Sequence, residues 1–521
     1  MKKYSVALVV AIAMFIFALD TTMMNVAITA LAQDLNTEIQ HIQFAIACYA
    51  LVIAAFMMLG AKLAKIYGTK RIFLIGVILY GIGTLTASMS VNVAMLTLGW
   101  SVIEGVGAAF MVPTAAAFLM KEYEGKERAV AFAIFTAVTV GAAAIGPLVG
   151  GAFTTYLSWR GAFAMEFFLV VIILVFSRVL TEHRSPEKPK LDVVGALLSA
   201  LGFGCLVFGV INMSADSWAS VLMITGGIIL LLLIIWEIRQ ERKGNEPLVP
   251  TSLLKNRNNM AGGVVNLLQQ LCIAALLFTI PVFLQSILSK TAMQTGLIVM
   301  PLTLAMLVTM LLTPRLGARV PVKYLTICGI VLSVIGAVLL ANSFSADMAT
   351  TALIPGFVMY GLGVGLSLGQ LQNLTLSSLK PSETDEGAGL FNTFRNLGSS
   401  LGTAIVGTIL ITFFLSGMVL GINNSSVLPQ EDKDTLTVVV TQNTVEMTRD
   451  EIAAEAKAIL GQYPPESAQE IKAIAADAIG HAMRLTYYTI AGILGGSLIA
   501  SLFLSRRKLI PSAAEATGPP T

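Results

Sequence analysis

Three acidic residues stand in stretches that are otherwise hydrocarbon-like. They are Asp20 in Leu19-Asp20-Thr21-Thr22-Met23-Met24-Asn25, Glu104 in Ser101-Val102-Ile103-Glu104-Gly105, and Glu166 in Ala164-Met165-Glu166-Phe167. A charge at the centre of a bilayer costs about 2.5–3.5 kcal/mol on insertion scales, so a carboxyl group kept there faces a polar cavity, a partner or a substrate. A carboxylate in a low-dielectric cavity attracts a cation or a proton, and not easily both. Competition of proton and cation for Asp20, Glu104 and Glu166 is therefore the chemistry these residues offer. It suits a protein that moves something across a membrane, with Asp20 in the path.

The elements that would hold these acids are apolar helices. The chain has 521 residues, 56% hydrophobic and 12% charged, with net charge +3. A soluble chain carries roughly 25% charge, and stretches of about 20 apolar residues span a bilayer. Spans are predicted at 5–31, 42–65, 72–90, 93–120, 128–155, 160–181, 192–213, 217–237, 260–288, 294–314, 323–341, 350–379, 386–416 and 484–504. An all-α integral membrane fold of fourteen transmembrane helices follows. Lys2 and Lys3 ahead of the first apolar run imitate a signal peptide, but that run is too long for one and Asp20 interrupts it. Most of the 33 Lys and Arg fall between spans on the side of the N-terminus, which places both termini in the cytoplasm. The expected location is the cytoplasmic membrane, and the lipid bilayer is itself a partner.

Residues 238–259 read as a basic linker, and residues 417–483 as one long, acidic outer loop. Thr448-Arg449-Asp450-Glu451 and Ser467-Ala468-Gln469-Glu470 both fit a capping box, and Pro464-Pro465 separates them, so an outer helical hairpin is expected. Cys48, Cys205, Cys272 and Cys328 all lie in apolar spans. Neither a disulfide framework, a metal site nor another cofactor is expected. The charge balance suggests no nucleic-acid partner. No nucleotide-binding loop and no nucleophile constellation is visible, which argues against an ATPase or another enzyme.

Several segments together resemble the major facilitator superfamily, in particular its fourteen-span drug:proton antiporters. Leu19-Asp20-Thr21-Thr22-Met23-Met24-Asn25-Val26-Ala27 is similar to that subgroup's first-helix signature. Gly146-Pro147-Leu148-Val149-Gly150-Gly151, preceded by Gly141, is similar to the antiporter motif of the fifth helix. Ser158-Trp159-Arg160, Pro281-Val282-Phe283-Leu284-Gln285 and Gly389-Leu390-Phe391-Asn392-Thr393-Phe394-Arg395-Asn396-Leu397-Gly398 match later spans. The resemblance implies two six-helix bundles, 1–190 and 260–521, with two inserted helices and the linker at 191–259. Alternating access around a central site would follow. Independently of the family, Gly146 and Gly150 have the spacing that lets two helix backbones approach closely, and Pro147 bends its helix.

The chain also departs from the family pattern. Lys65 stands where the loop after the second span usually has an aspartate, so the latch that acid helps form would be altered or lost. Ser101 takes the place of an arginine, Glu104 of a glutamine and Glu166 of a frequent asparagine. Glu104 could then carry the proton itself. Candidate cavity residues are Met24, Asn25, Trp100, Gln269, Gln270, Gln370, Asn373 and Arg395. The implied activity is proton-coupled efflux of amphipathic, often cationic drugs or antiseptics by a protein functional as a monomer. A more specific exporter of a lipid-like compound, metabolite or peptide is the alternative.

Overall fold

The structure is a computed structural model that describes residues 4–182, 192–211, 218–245, 247, 250–345, 348–379, 384–442 and 465–506. Its described residues form helices throughout. The first half comprises α1 (Ser5–Met23), α2 (Ile28–Asp34), α3 (Ile39–Tyr67), α4 (Thr69–Ser88), α5 (Val93–Leu96), a π-helical stretch Thr97–Glu104, α6 (Gly105–Glu122), α7 (Gly125–Ala152) and α8 (Trp159–Phe176). Then come α9 (Val193–Ile211), α10 (Ala219–Arg242) and the short α11 (Thr251–Lys255). The second half comprises α12 (Arg257–Ser286), α13 (Ala292–Arg319), α14 (Val322–Ser343), α15 (Ile354–Leu368), α16 (Leu371–Leu376), α17 (Thr384–Asn424), α18 (Gln430–Gln442) and α19 (Pro465–Ser501).

Among the described residues, 13 helices are long and apolar enough to cross a membrane. The expected count was fourteen. The last expected span, 484–504, lies in the C-terminal part of α19, where Arg484, Tyr487, Tyr488, Gly492, Gly495 and Gly496 dilute the apolar content.

Two separate cores divide these helices. One joins α1, α3, α4, α6, α7 and α8 around Phe17, Tyr80, Trp100 and Phe163. The other joins α12 to α17 with α19 around Phe283, Phe357, Tyr360 and Tyr487. In a lipid solvent, helices associate by close packing of small residues, and both halves use the same device. A methyl group added at Gly146 or Gly150 of α7 would strike the Thr22 hydroxyl and the Met23 carbonyl oxygen of α1 respectively. One added at Gly398 or Gly402 of α17 would strike the Leu267 and Leu271 carbonyls of α12. The same four-residue spacing of glycines thus serves a close helix contact in each half.

α9 lies across the seam between the halves, with Val207 and Val210 against Ala47 of α3 and Ala404 of α17. α10 packs on α9 and turns Ile224, Ile228, Leu231 and Ile235 outward.

Other contacts hold the halves together. Gln43 Nε2 donates to the Thr403 carbonyl at 2.7 Å and Ser400 Oγ to the Ala47 carbonyl at 2.7 Å. Thr303 Oγ1 donates to the Ala144 carbonyl at 2.8 Å. At the end of α1 away from Ser5, Gln285 Nε2 donates to the Val26 carbonyl at 2.8 Å, and Thr29 donates to the Gln285 side-chain oxygen. On the same face, Ser158 caps α8, and Arg160 and Trp159 both bond Asp34.

The hairpin expected at 417–483 takes a different form. α17 has 41 residues and α19 has 37. At 1.5 Å per residue these run roughly 60 and 55 Å, well beyond a hydrocarbon layer of about 30 Å. The last two long helices therefore extend past the apolar zone, and α18 folds back between them. Met418, Ile422, Leu428, Leu436, Ile471 and Ala478 close a small core of their own. Ser467 lies inside α19 rather than at a cap, and Glu470 Oε1 accepts from Ser425 Oγ at 2.9 Å. Thr448, Arg449, Asp450, Glu451 and Pro464 lie outside the described residues.

Candidate functional site

Asp20, Glu104 and Glu166 converge. One carboxylate oxygen from each lies within 4.8 Å of the others, and all three residues have no exposed surface. They come from α1, from the end of the π-helical stretch and from α8. The π stretch has a local role: its wider i→i+5 turn presents Trp100 and Glu104 on one side, toward α1. Gly83 of α4 makes room, since a Cβ there would collide with the Glu104 backbone.

Trp100 Nε1 donates to Asp20 Oδ2 at 3.1 Å. The indole stacks on Tyr49, ring centroids 5.6 Å apart, and meets Phe163 edge-on at 5.7 Å. The Tyr49 hydroxyl is turned toward Asp20, and the Tyr80 hydroxyl toward Glu104 and Glu166, neither within hydrogen-bond geometry. Asp20 Oδ1 and both oxygens of each glutamate likewise have no hydrogen-bond partner. Among the described residues no Lys, Arg or His forms an ion pair with any of the three. Two unit charges 4.8 Å apart repel by roughly 3.5 kcal/mol at an effective dielectric of about 20. Three ionised carboxylates would thus add roughly 10 kcal/mol of repulsion. The cluster must hold protons, a cation or both.

Beside it is a cavity of about 40 Å³. Met24, Asn25, Tyr49 and Trp100 line it from the first half with Asp20, and Asn396 and Ser399 of α17 line it from the second. This is room for a few waters and far below the hundreds of Å³ that a drug-sized ligand needs. The halves must separate before such a molecule reaches Asp20.

The structure thus brings together Asp20, Glu104, Glu166, Met24, Asn25 and Trp100. It does not bring the other expected cavity residues to this cavity. Gln269 is buried on α12 with both amide atoms unbonded, and Gln270 is half-buried beside it. Asn373 Nδ2 donates to Gln370 Oε1 at 2.7 Å, at the break between α15 and α16. Arg395 is half-buried on α17, next to Asn396 and outside the cavity lining. Ser101 bonds the Ala45 carbonyl at 2.7 Å and so ties the π stretch to α3. Of the antiporter residues, Gly146, Pro147, Gly150 and Gly151 sit at close helix contacts, Gly151 against Ala292 of α13 and the Pro147 carbonyl against Gly296. Gly141 faces open space. Tyr49, Tyr80, Asn396 and Ser399 were missed by sequence reasoning. The available signal was a tyrosine in each of two apolar spans, and two polar residues three apart on α17.

A family model described as the Major Facilitator Superfamily matches residues 10–403. The chain belongs to this superfamily. It is a multi-pass membrane protein of a transporter family whose members carry small molecules.

Among curated relatives, the chain is 29% identical over 403 residues to a probable actinorhodin transporter of Streptomyces coelicolor, covering 75% of this chain and 69% of that one. It is 27% identical over 406 residues to a puromycin resistance protein of Streptomyces alboniger, covering 77% and 80%. It is 26% identical over 406 residues to the multidrug resistance protein Stp of Mycobacterium tuberculosis, covering 76% and 74%. Among solved structures, a bacterial homologue of the human lysosomal transporter Spinster, inward-facing and unoccupied, aligns with TM-score 0.65 at 14% identity over 96% of this chain and 98% of that one. A D-xylose–proton symporter aligns with TM-score 0.56 at 14% identity over 77% and 89%. At these identities the structural likeness is one of fold.

Proposed function

We propose that the chain exports amphipathic, cationic drugs or antiseptics in exchange for protons by alternating access. The observation that carries this reading is the buried cluster of Asp20, Glu104 and Glu166. It has no basic partner among the described residues and opens through Asp20 onto a cavity shared by the two halves. Protonated, the cluster is neutral. When the cavity opens to the cytoplasm, a cationic substrate displaces a proton. When it opens to the other side, incoming protons release the substrate. Residues 1–190 and 260–521 act as the two rocking bodies, and 191–259 supplies the inserted pair and linker. The protein works as a monomer in the cytoplasmic membrane, with both termini inside.

The relatives include a multidrug resistance protein and a puromycin resistance protein, which supports export of toxic compounds. Others are tied to one compound, such as the cephamycin export protein of Amycolatopsis lactamdurans, and favour the second reading of a specific exporter. Cells expressing the chain, challenged with a panel of dyes, antiseptics and antibiotics, separate the two. Protection against several unrelated cations supports the first, and protection against one compound alone supports the second. In everted vesicles, Asp20→Asn should abolish substrate-driven proton release while inserting normally. Wild-type proton release from that variant would sink the mechanism.

A further inference from the structure

The sequence offers no spacing typical of metal ligands, yet the fold assembles an all-oxygen donor set. Asp20 Oδ2 is taken by the Trp100 indole. Asp20 Oδ1, both oxygens of Glu104 and both of Glu166 are buried and carry no hydrogen bond. Two further groups, independent of the acids, point at the same place. The Tyr49 hydroxyl of α3 faces Asp20, and the Tyr80 hydroxyl of α4 faces Glu104 and Glu166. Tyr49 is 4% exposed and Tyr80 0%, and neither hydroxyl has a hydrogen-bond partner. A buried tyrosine oxygen without a partner is costly in any helix bundle, and two aimed at one anionic cluster are placed to complete the shell of a common ligand.

The set selects the kind of ligand. Oxygen donors alone suit hard cations. The free carboxylate oxygens and the two hydroxyls approach the 6–8 ligands of a calcium-sized ion, whose 2.3–2.6 Å bonds set opposite ligands at most roughly 5.2 Å apart. The observed 4.8 Å envelope fits that span. Magnesium, with bonds of about 2.0–2.1 Å and tightly held waters, fits less well. Charge points the same way. With three carboxylates and no basic partner among the described residues, a divalent ion leaves less uncompensated charge than a monovalent one. The adjoining cavity can supply water to complete the shell.

We propose that Asp20, Glu104 and Glu166, completed by the hydroxyls of Tyr49 and Tyr80, bind a hard divalent cation of calcium or manganese size in competition with protons. The site uses the carboxylates of the transport reading but does not depend on any drug being carried.

The test uses the purified full-length protein in detergent, freed of metal and titrated calorimetrically with calcium or manganese chloride, with magnesium and sodium chloride for comparison. A second readout is terbium luminescence sensitised by Trp100, the indole bonded to Asp20. The expected result is one saturable site per chain, with protons released on binding and calcium or manganese preferred over magnesium and sodium. Glu166→Gln should weaken binding by about tenfold or more, and Trp100→Phe should reduce the terbium signal that calcium displaces. Tyr80→Phe keeps every carboxylate and should weaken binding without altering the elution profile of the protein, which separates ligation from misfolding. No saturable binding, equal binding of sodium, or an affinity unchanged in Glu166→Gln would each overturn the proposal. A chain that binds metal and protects against no drug would instead count against the export reading alone.

Discussion

Lys65, in the last turn of α3, is ion-paired with Glu386, near the start of α17, and so bridges the two halves on the face that carries Ser5. Each charge also sits at the helix end that suits its sign, the cation at a C-terminus and the acid near an N-terminus. The family's aspartate is missing from this loop, but the cation standing in its place has found an acid on the opposite half. An ion pair between the halves thus stands at the place of the expected latch. Both side chains are about a third exposed, so the pair contributes on the order of 1 kcal/mol or less.

Lys65→Glu should therefore slow efflux by no more than about fivefold, the equivalent of 1 kcal/mol. Adding Glu386→Lys should restore the rate. Initial efflux rates in energised cells test this, and a double variant as slow as the single one would show that the pair does not couple the halves.

Trp100→Phe keeps a ring against Tyr49 and Phe163 but removes the indole N–H that donates to Asp20. A hydrogen bond to an ionised group contributes about 1.5–3 kcal/mol. The variant should bind cationic substrate roughly tenfold or more weakly, with little change in its melting temperature in detergent. Unchanged substrate affinity in a fluorescence-displacement titration would mean that the indole only fills space.

Gly150→Ala should destabilise the first half, because its new methyl group meets the Met23 carbonyl of α1. Overpacking of this kind costs about 1–3 kcal/mol. Gly141→Ala, with nothing near its new methyl, should melt like wild type. Equal melting temperatures for the two variants would refute the close-contact account of α7 against α1.

Cysteines placed in the extension of α19 should report its surface. Gln469 is exposed, whereas Ser467 is buried. An impermeant thiol reagent applied to intact cells should label Gln469→Cys and spare Ser467→Cys. Labelling of Gln469→Cys only after lysis would reverse the proposed topology.

The helices could be read from the sequence because each apolar run carries its own signal. Asp20 was legible for the same reason, as a lone acid in such a run. Glu104 and Glu166 were legible in the same way, but their convergence on Asp20 was not. Glu104 reaches Asp20 only because the Thr97–Glu104 stretch adopts π geometry, and no proline or repeated glycine in that segment announces it. Glu166 reaches it only through the packing of α8 against α1 and α4. Arg395 and Gln269 have the residue types of a polar cavity, but the rotational setting of α12 and α17 decides what a side chain meets, and periodicity alone does not fix that. The hairpin of α17, α18 and α19 was legible as helix and not as architecture. The last two long helices run on past the apolar zone because alanine-rich and polar turns continue their pattern without a break.

The position of α9 has a consequence for traffic. Amphipathic molecules dissolve in the bilayer before they meet a transporter, and the seam between α3 and α17 would be their shortest sideways route to Asp20. Val207 and Val210 close that doorway. A lipid-dissolved molecule entering there would first have to pry off the inserted pair. Its open approach is instead past the seams that α9 leaves uncovered, or from water at whichever end of the cavity is open.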